Sequence, residues 1–127
     1  SDVYKKIIKL GTVSQAMVQK NRRIPNPSGT ATTMASLGYV YGLLVNPVST
    51  LSTTGVGAIG GALVGTRLLT NKKFLDAAIK FAEADGKHKM AASMALNKQA
   101  KDITGYTLNS IYRAAQREMN KETDGLQ

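Results

Sequence analysis

The chain has no cysteine and no tryptophan, and only one histidine, two phenylalanines and three prolines in 127 residues. The missing cysteine excludes disulfides, thiolate metal ligands and cysteine nucleophiles together. With so few rings, the core must be built from Ala, Leu, Val and Met, a set that favours helices. The one histidine, His88, stands between Lys87 and Lys89, where adjacent positive charge disfavours both its protonation and metal binding. A serine nucleophile therefore has no suitable base to activate it. Glu83 and Asp85 are neighbours in sequence but fall near an expected helix end, where solvated carboxylates are the simpler reading. The phosphate-loop pattern GxxxxGK with Ser or Thr, and GxGxxG between a strand and a helix, are both missing. No catalytic residue, metal or cofactor is expected.

Charge is missing from one long stretch and unbalanced elsewhere. Ile24 to Thr66 carries no Asp, Glu, Lys, Arg or His. Overall, 17 basic residues face 8 acidic ones, a formal charge of +9, which favours phosphate-bearing partners such as nucleic acid or anionic headgroups. The bias is strongest at the start, where Lys5, Lys6, Lys9, Lys20, Arg22 and Arg23 are opposed by Asp2 alone. The apolar period begins at Val3 without a lead-in, so the chain is expected to continue a longer protein upstream.

The pattern predicts an all-α fold of five or six helices, divided into four stretches. Residues 1–20 form a basic helix with Val3, Ile7, Leu10, Met17 and Val18 at helical intervals, expected to split at Gly11. Residues 21–30 are a connector rich in proline, glycine and capping residues, including Asn26, Pro27, Ser28, Gly29 and Thr30. Residues 31–69 form an apolar helical hairpin turned at Asn46 and Pro47, with Met34, Leu37, Tyr41 and Leu44 on the first leg. Residues 70–127 hold amphipathic helices. The first is capped by Thr70 or Asn71, with Phe74, Leu75, Ala78, Phe81 and Ala82 as its stripe, and stops at Gly86. The second runs from Lys87 to Thr104 with Met90, Ala91, Met94, Ala95 and Ile103, and Gly105 ends it. Thr107 caps the last, with Leu108, Ile111, Tyr112, Ala115 and Met119 on one face. Phe74, Phe81, Met90, Met94 and Met119 are read as core or oligomer contacts. Such helices can close a bundle on themselves or pack around further copies in an extended or ring-like homo-oligomer.

Within the hairpin, Gly55, Gly57, Gly60, Gly61 and Gly65 are interleaved with Val, Ile, Ala and Leu. In an exposed helix each would cost roughly 1 kcal/mol relative to alanine. Gly57, Gly61 and Gly65 fall four apart as a double GxxxG, a ridge without side chains that lets another helix approach closely. A buried soluble helix satisfies the same sterics. For a membrane the lengths are marginal: Ala31 to Val45 would span about 22 Å and Leu51 to Leu69 about 28 Å, against roughly 30 Å of hydrocarbon. In a hairpin, Lys20, Arg22 and Arg23 would meet Arg67, Lys72 and Lys73 at one surface, placing all six at headgroups or phosphates.

The run Asn26, Pro27, Ser28, Gly29, Thr30, Ala31, the Gly/Ala-rich apolar pair, and then Arg67, Leu68, Leu69, Thr70, Asn71, Lys72, Lys73, Phe74, Leu75 resembles the C-terminal parts of large internal virion proteins, or ejection proteins, of tailed and especially short-tailed bacteriophages. The resemblance covers residues 24–83. It implies a noncatalytic segment stored inside the virion, expelled before the genome, and assembled with sister copies and other portal, tail and ejection proteins into a conduit across the host envelope. It further implies nonspecific contact with DNA, and with membrane after ejection; any enzymatic domain would lie upstream. Two readings from other classes stand beside it: a basic helical nucleic-acid-binding domain, and a membrane-active pore-forming protein.

Overall fold

The computed structural model of this chain describes residues 2–21, 30–45 and 62–125. These residues are all-α, in six helices: α1 Asp2–Asn21, α2 Thr30–Val45, α3 Ala62–Leu69, α4 Lys72–Glu83, α5 His88–Thr104 and α6 Leu108–Gly125. The expected class and helix number hold.

Helix α4 sits at the centre because it packs against both α1 and α5. Its sequence dictates this: Phe74, Leu75, Ala78, Ile79, Phe81 and Ala82 are all buried, an apolar face wide enough to serve two neighbours. Asn71 starts the helix, its side chain accepting the Phe74 amide at 3.1 Å, which satisfies a donor that the first turn would otherwise leave open. The helix ends at Glu83, three residues before the expected stop. Ala84 turns extended while its amide bonds Lys80 and Phe81 carbonyls. Gly86, at φ 56°, then makes the turn rather than the cap.

Helix α1 is continuous, contrary to the expected split at Gly11. A Cβ on Gly11 would collide with the Tyr41 hydroxyl and come within 2.9 Å of Cζ. The glycine therefore makes room for a ring from α2 rather than breaking α1. Three ion pairs tie α1 to α4: Asp2 with Lys72 at 3.7 Å, Lys6 with Asp76, and Lys9 with Glu83 at 3.9 Å. Partners rise together along both helices, so α1 and α4 run parallel.

Helix α2 packs against α3 and α6. Leu37 and Val40 are buried with Thr33 and Ser36, and Tyr39 meets Tyr112 of α6 with ring centroids 5.9 Å apart and tilted. The α2–α3 contact is what a hairpin requires of its legs, but the second leg is described only from Ala62 onward. The turn at Asn46 and Pro47 lies outside the described residues, as do Gly57 and Gly61; Gly65 is buried in α3. No helix among the described residues is long and apolar enough to cross a membrane.

Helix α5 corrects the core half of the expectation for Met90 and Met94 and leaves the oligomer-contact half untouched. Met90 and Met94 are 46% and 68% exposed, and Ala91 and Ala95 are exposed beside them. The face turned inward is instead Ser93, Leu96 and Ala100, flanked by half-buried Ala92 and Asn97. The helix stops as expected at Gly105, which adopts φ 86° while its amide bonds the Lys101 carbonyl. Thr107 then caps α6, accepting the Ser110 amide at 3.1 Å. Of the last stripe, Leu108, Ile111 and Ala115 are buried on α6 and Tyr112 is half-buried, while the Met119 side chain lies outside the described residues.

Candidate functional site

The inverted α5 leaves polar groups in the interior, and they are satisfied across helices. Thr33 of α2 and Ser93 of α5 share a hydroxyl hydrogen bond of 2.6 Å. Asn97 donates to the Ser93 carbonyl at 3.0 Å and to the Thr33 hydroxyl at 3.4 Å. Its own carbonyl accepts the Asn109 amide at 2.9 Å, where α6 has just begun. Ser36 donates its hydroxyl proton to the Thr32 carbonyl at 2.6 Å, and the Asn109 side-chain carbonyl lies 3.3 Å away as a second, weaker acceptor. This network fixes α2, α5 and α6 relative to one another, since each member would lose both partner and water if one helix moved.

Above it lies an open groove of about 600 Å³. Its α5 wall is Met90, Met94, Asn97, Lys98 and Lys101, spaced so that all fall on one helix face. Thr32 comes from α2, Thr107 from the α5–α6 turn, and Asn109 and Arg113 from α6. Among the described residues, three cations line the groove and no carboxylate does. Lys98, Lys101 and Arg113 are exposed and have no carboxylate partner among the described residues. The amino terminus of α6 opens beside them, adding the positive end of a helix dipole. Hydroxyl and amide groups, mobile cations and two polarizable methionines can hold an extended anion that also has an apolar surface.

Three of the six basic residues expected at phosphates can be placed, and two of them are engaged within the fold. Arg67 donates through Nη2 to the Ile103 carbonyl at 2.9 Å, a group in the last turn of α5 that has no partner within that helix. It acts as a clasp between α3 and α5. Lys72 pairs with Asp2, and Lys6 and Lys9 pair with α4. Lys73 is exposed on α4, Lys20 falls in the last turn of α1, and Arg22 and Arg23 lie outside the described residues, as do Asn26, Pro27, Ser28 and Gly29. Thr30 is buried where α2 begins. Of the six cations, Arg67, Lys72 and Lys73 are described, and the side chains of Lys20, Arg22 and Arg23 lie outside the described residues. Lys98, Lys101 and Arg113 were not singled out by the sequence reading, although Met90, Met94, Lys98 and Lys101 share one helical face. Reading the methionines of that face as core or oligomer contacts left the cations beside them unremarked.

His88 is exposed at the first turn of α5, and no group of three His, Cys, Asp or Glu among the described residues could hold a metal. No known protein family, no curated protein and no solved structure matches this chain.

Proposed function

We propose that this chain is a noncatalytic structural segment of a phage internal virion protein that acts in genome ejection. It helps to form or anchor a conduit through portal, tail and host envelope, assembling with sister copies and other virion proteins and touching a phosphate-bearing partner as it does so. The observation that carries the reading is the sorting of charge. Acids near α1 and α4 are used in ion pairs, whereas Lys98, Lys101 and Arg113 come together at one groove with no carboxylate partner among the described residues. Unpaired like charges repel, and an anionic partner removes that repulsion. The resemblance over residues 24–83 supplies the virion setting; its run from Arg67 to Leu75 forms the α3–α4 junction, whose leucines and phenylalanine are buried.

Mass spectrometry of the source particle tests this reading. The expected result is this sequence within a longer virion polypeptide that leaves the capsid on genome release. Recovery as a short, free-standing cellular protein would overturn it and favour the second reading, a basic helical nucleic-acid-binding domain, which rests on the same groove. The pore-forming alternative requires leakage of anionic liposomes without virion partners, and requires α2 and α3 to leave a bundle in which Leu37, Val40, Leu68 and Leu69 are buried.

A further inference from the structure

We infer that the groove between α5 and α6 binds one extended strand of nucleic acid, held through its phosphates by Lys98, Lys101 and Arg113, with Met90 and Met94 against the bases. This rests on the reading that the chain meets a phosphate-bearing partner, and names which one. Lys98 and Lys101 stand three residues apart on α5, and Arg113 answers them from α6. Cations on both walls of one groove suit a strand lying along it. The methionines continue the same α5 wall one and two turns before Lys98. Among the described residues they take no part in anchoring α5, which is held through Ser93, Leu96 and Ala100. A thioether packs against any base face without reading its edge, so the site takes strands of any sequence.

Two other anions fit less well. A duplex presents both backbones on a broad convex surface and keeps its base faces stacked inside, which leaves Met90 and Met94 without a role. An anionic bilayer is flat, and would have to accept the Thr107 and Asn109 groups that line the groove at its own surface. A single strand uses all of these features.

Fluorescence anisotropy with labelled oligothymidylate tests the inference, with the matching duplex and phosphatidylglycerol vesicles as parallel arms. The expected result is tighter binding to the single strand than to duplex or vesicles. Its logarithmic salt slope should lie near about −2, because three phosphate contacts on a single strand each contribute about −0.7. The K98E/K101E/R113E variant should lose at least tenfold in affinity. The M90S/M94S variant should weaken binding severalfold and leave the slope unchanged. All five residues are exposed, so thermal melts of both variants should match the parent and separate lost binding from lost folding. Tighter binding to duplex, vesicle binding that depends on Met90 and Met94 while the oligonucleotide is ignored, or undiminished single-strand binding by the triple variant each overturns the inference. Binding to none of the three probes overturns the phosphate-partner reading itself.

Discussion

The seam between α1 and α4 and the groove between α5 and α6 both carry lysines on exposed helix faces, yet they use them in opposite ways. Along the seam, Lys6, Lys9 and Lys72 each meet a carboxylate on the facing helix, above a core that includes Phe74 and Phe81. Along the groove, Lys98, Lys101 and Arg113 meet none among the described residues, and Met90 and Met94 beside them are exposed. The same residue type is structural in one place and available in the other. What separates the two, among the described residues, is whether a carboxylate of a facing helix comes within reach, which counting charges along the chain does not reveal.

The largest contrast is between the apolar residues of the two regions. Phe74→Ala should lower unfolding free energy by about 3–5 kcal/mol, the usual result of emptying a packed aromatic site. Met94→Ala, at an exposed position, should change it by no more than about 0.5 kcal/mol. Urea denaturation of both variants checks this, and a large loss at Met94 would erase the distinction between seam and groove.

The floor of the groove comes next. Thr33→Val or Ser93→Ala should each cost about 1–3 kcal/mol, because the surviving hydroxyl stays buried without its partner. The double variant should recover part of that loss, since it removes both polar groups. Strict additivity in a double-mutant cycle would show that the two hydroxyls are not coupled.

Asn71→Ala removes the cap of α4 and should cost about 1 kcal/mol, seen as a lower melting temperature with an unchanged denaturant slope. The smallest effect tests the charges directly. Asp76→Asn, which breaks the pair with Lys6, should cost no more than about 1 kcal/mol, and less at high salt, as exposed pairs do. Lys98→Gln should cost less than Asp76→Asn does, because Lys98 makes no ion pair with the described residues. Equal destabilisation by Asp76→Asn and Lys98→Gln would remove the contrast between paired and unpaired cations.

Features set by neighbours in sequence were the legible ones. The Asn71 cap, the Gly105 stop and the Thr107 cap depend on amides and carbonyls within a few residues. The α4 stripe was legible because its buried positions are all apolar. Helix α5 was misread for the complementary reason: Ser93 and Asn97 turn inward only because Thr33, 60 residues earlier than Ser93, and Asn109, 12 residues after Asn97, supply partners. Periodicity sees two methionines and two alanines and takes them for core. Gly11 was misread alike, since the Tyr41 ring that needs its space belongs to another helix. The groove inherited the α5 error, and with it the identity of the unpaired cations. The glycine ridge remains a sequence proposal at Gly57 and Gly61, with Gly65 alone placed in the interior.

The parallel pairing of α1 with α4 also sets the order of events when the chain is made. Lys6 and Asp76 are 70 residues apart, so α1 leaves the ribosome well before the helix that covers it. At the usual rate of synthesis, about 5–20 residues per second, that delay lasts several seconds. Throughout it Val3, Ile7 and Leu10 have no α4 to rest on, and α1 can join only a bundle whose central helix already exists. Its docking is a late, long-range step in folding, and the N-terminal helix is the part of this fold that most needs protection from premature association.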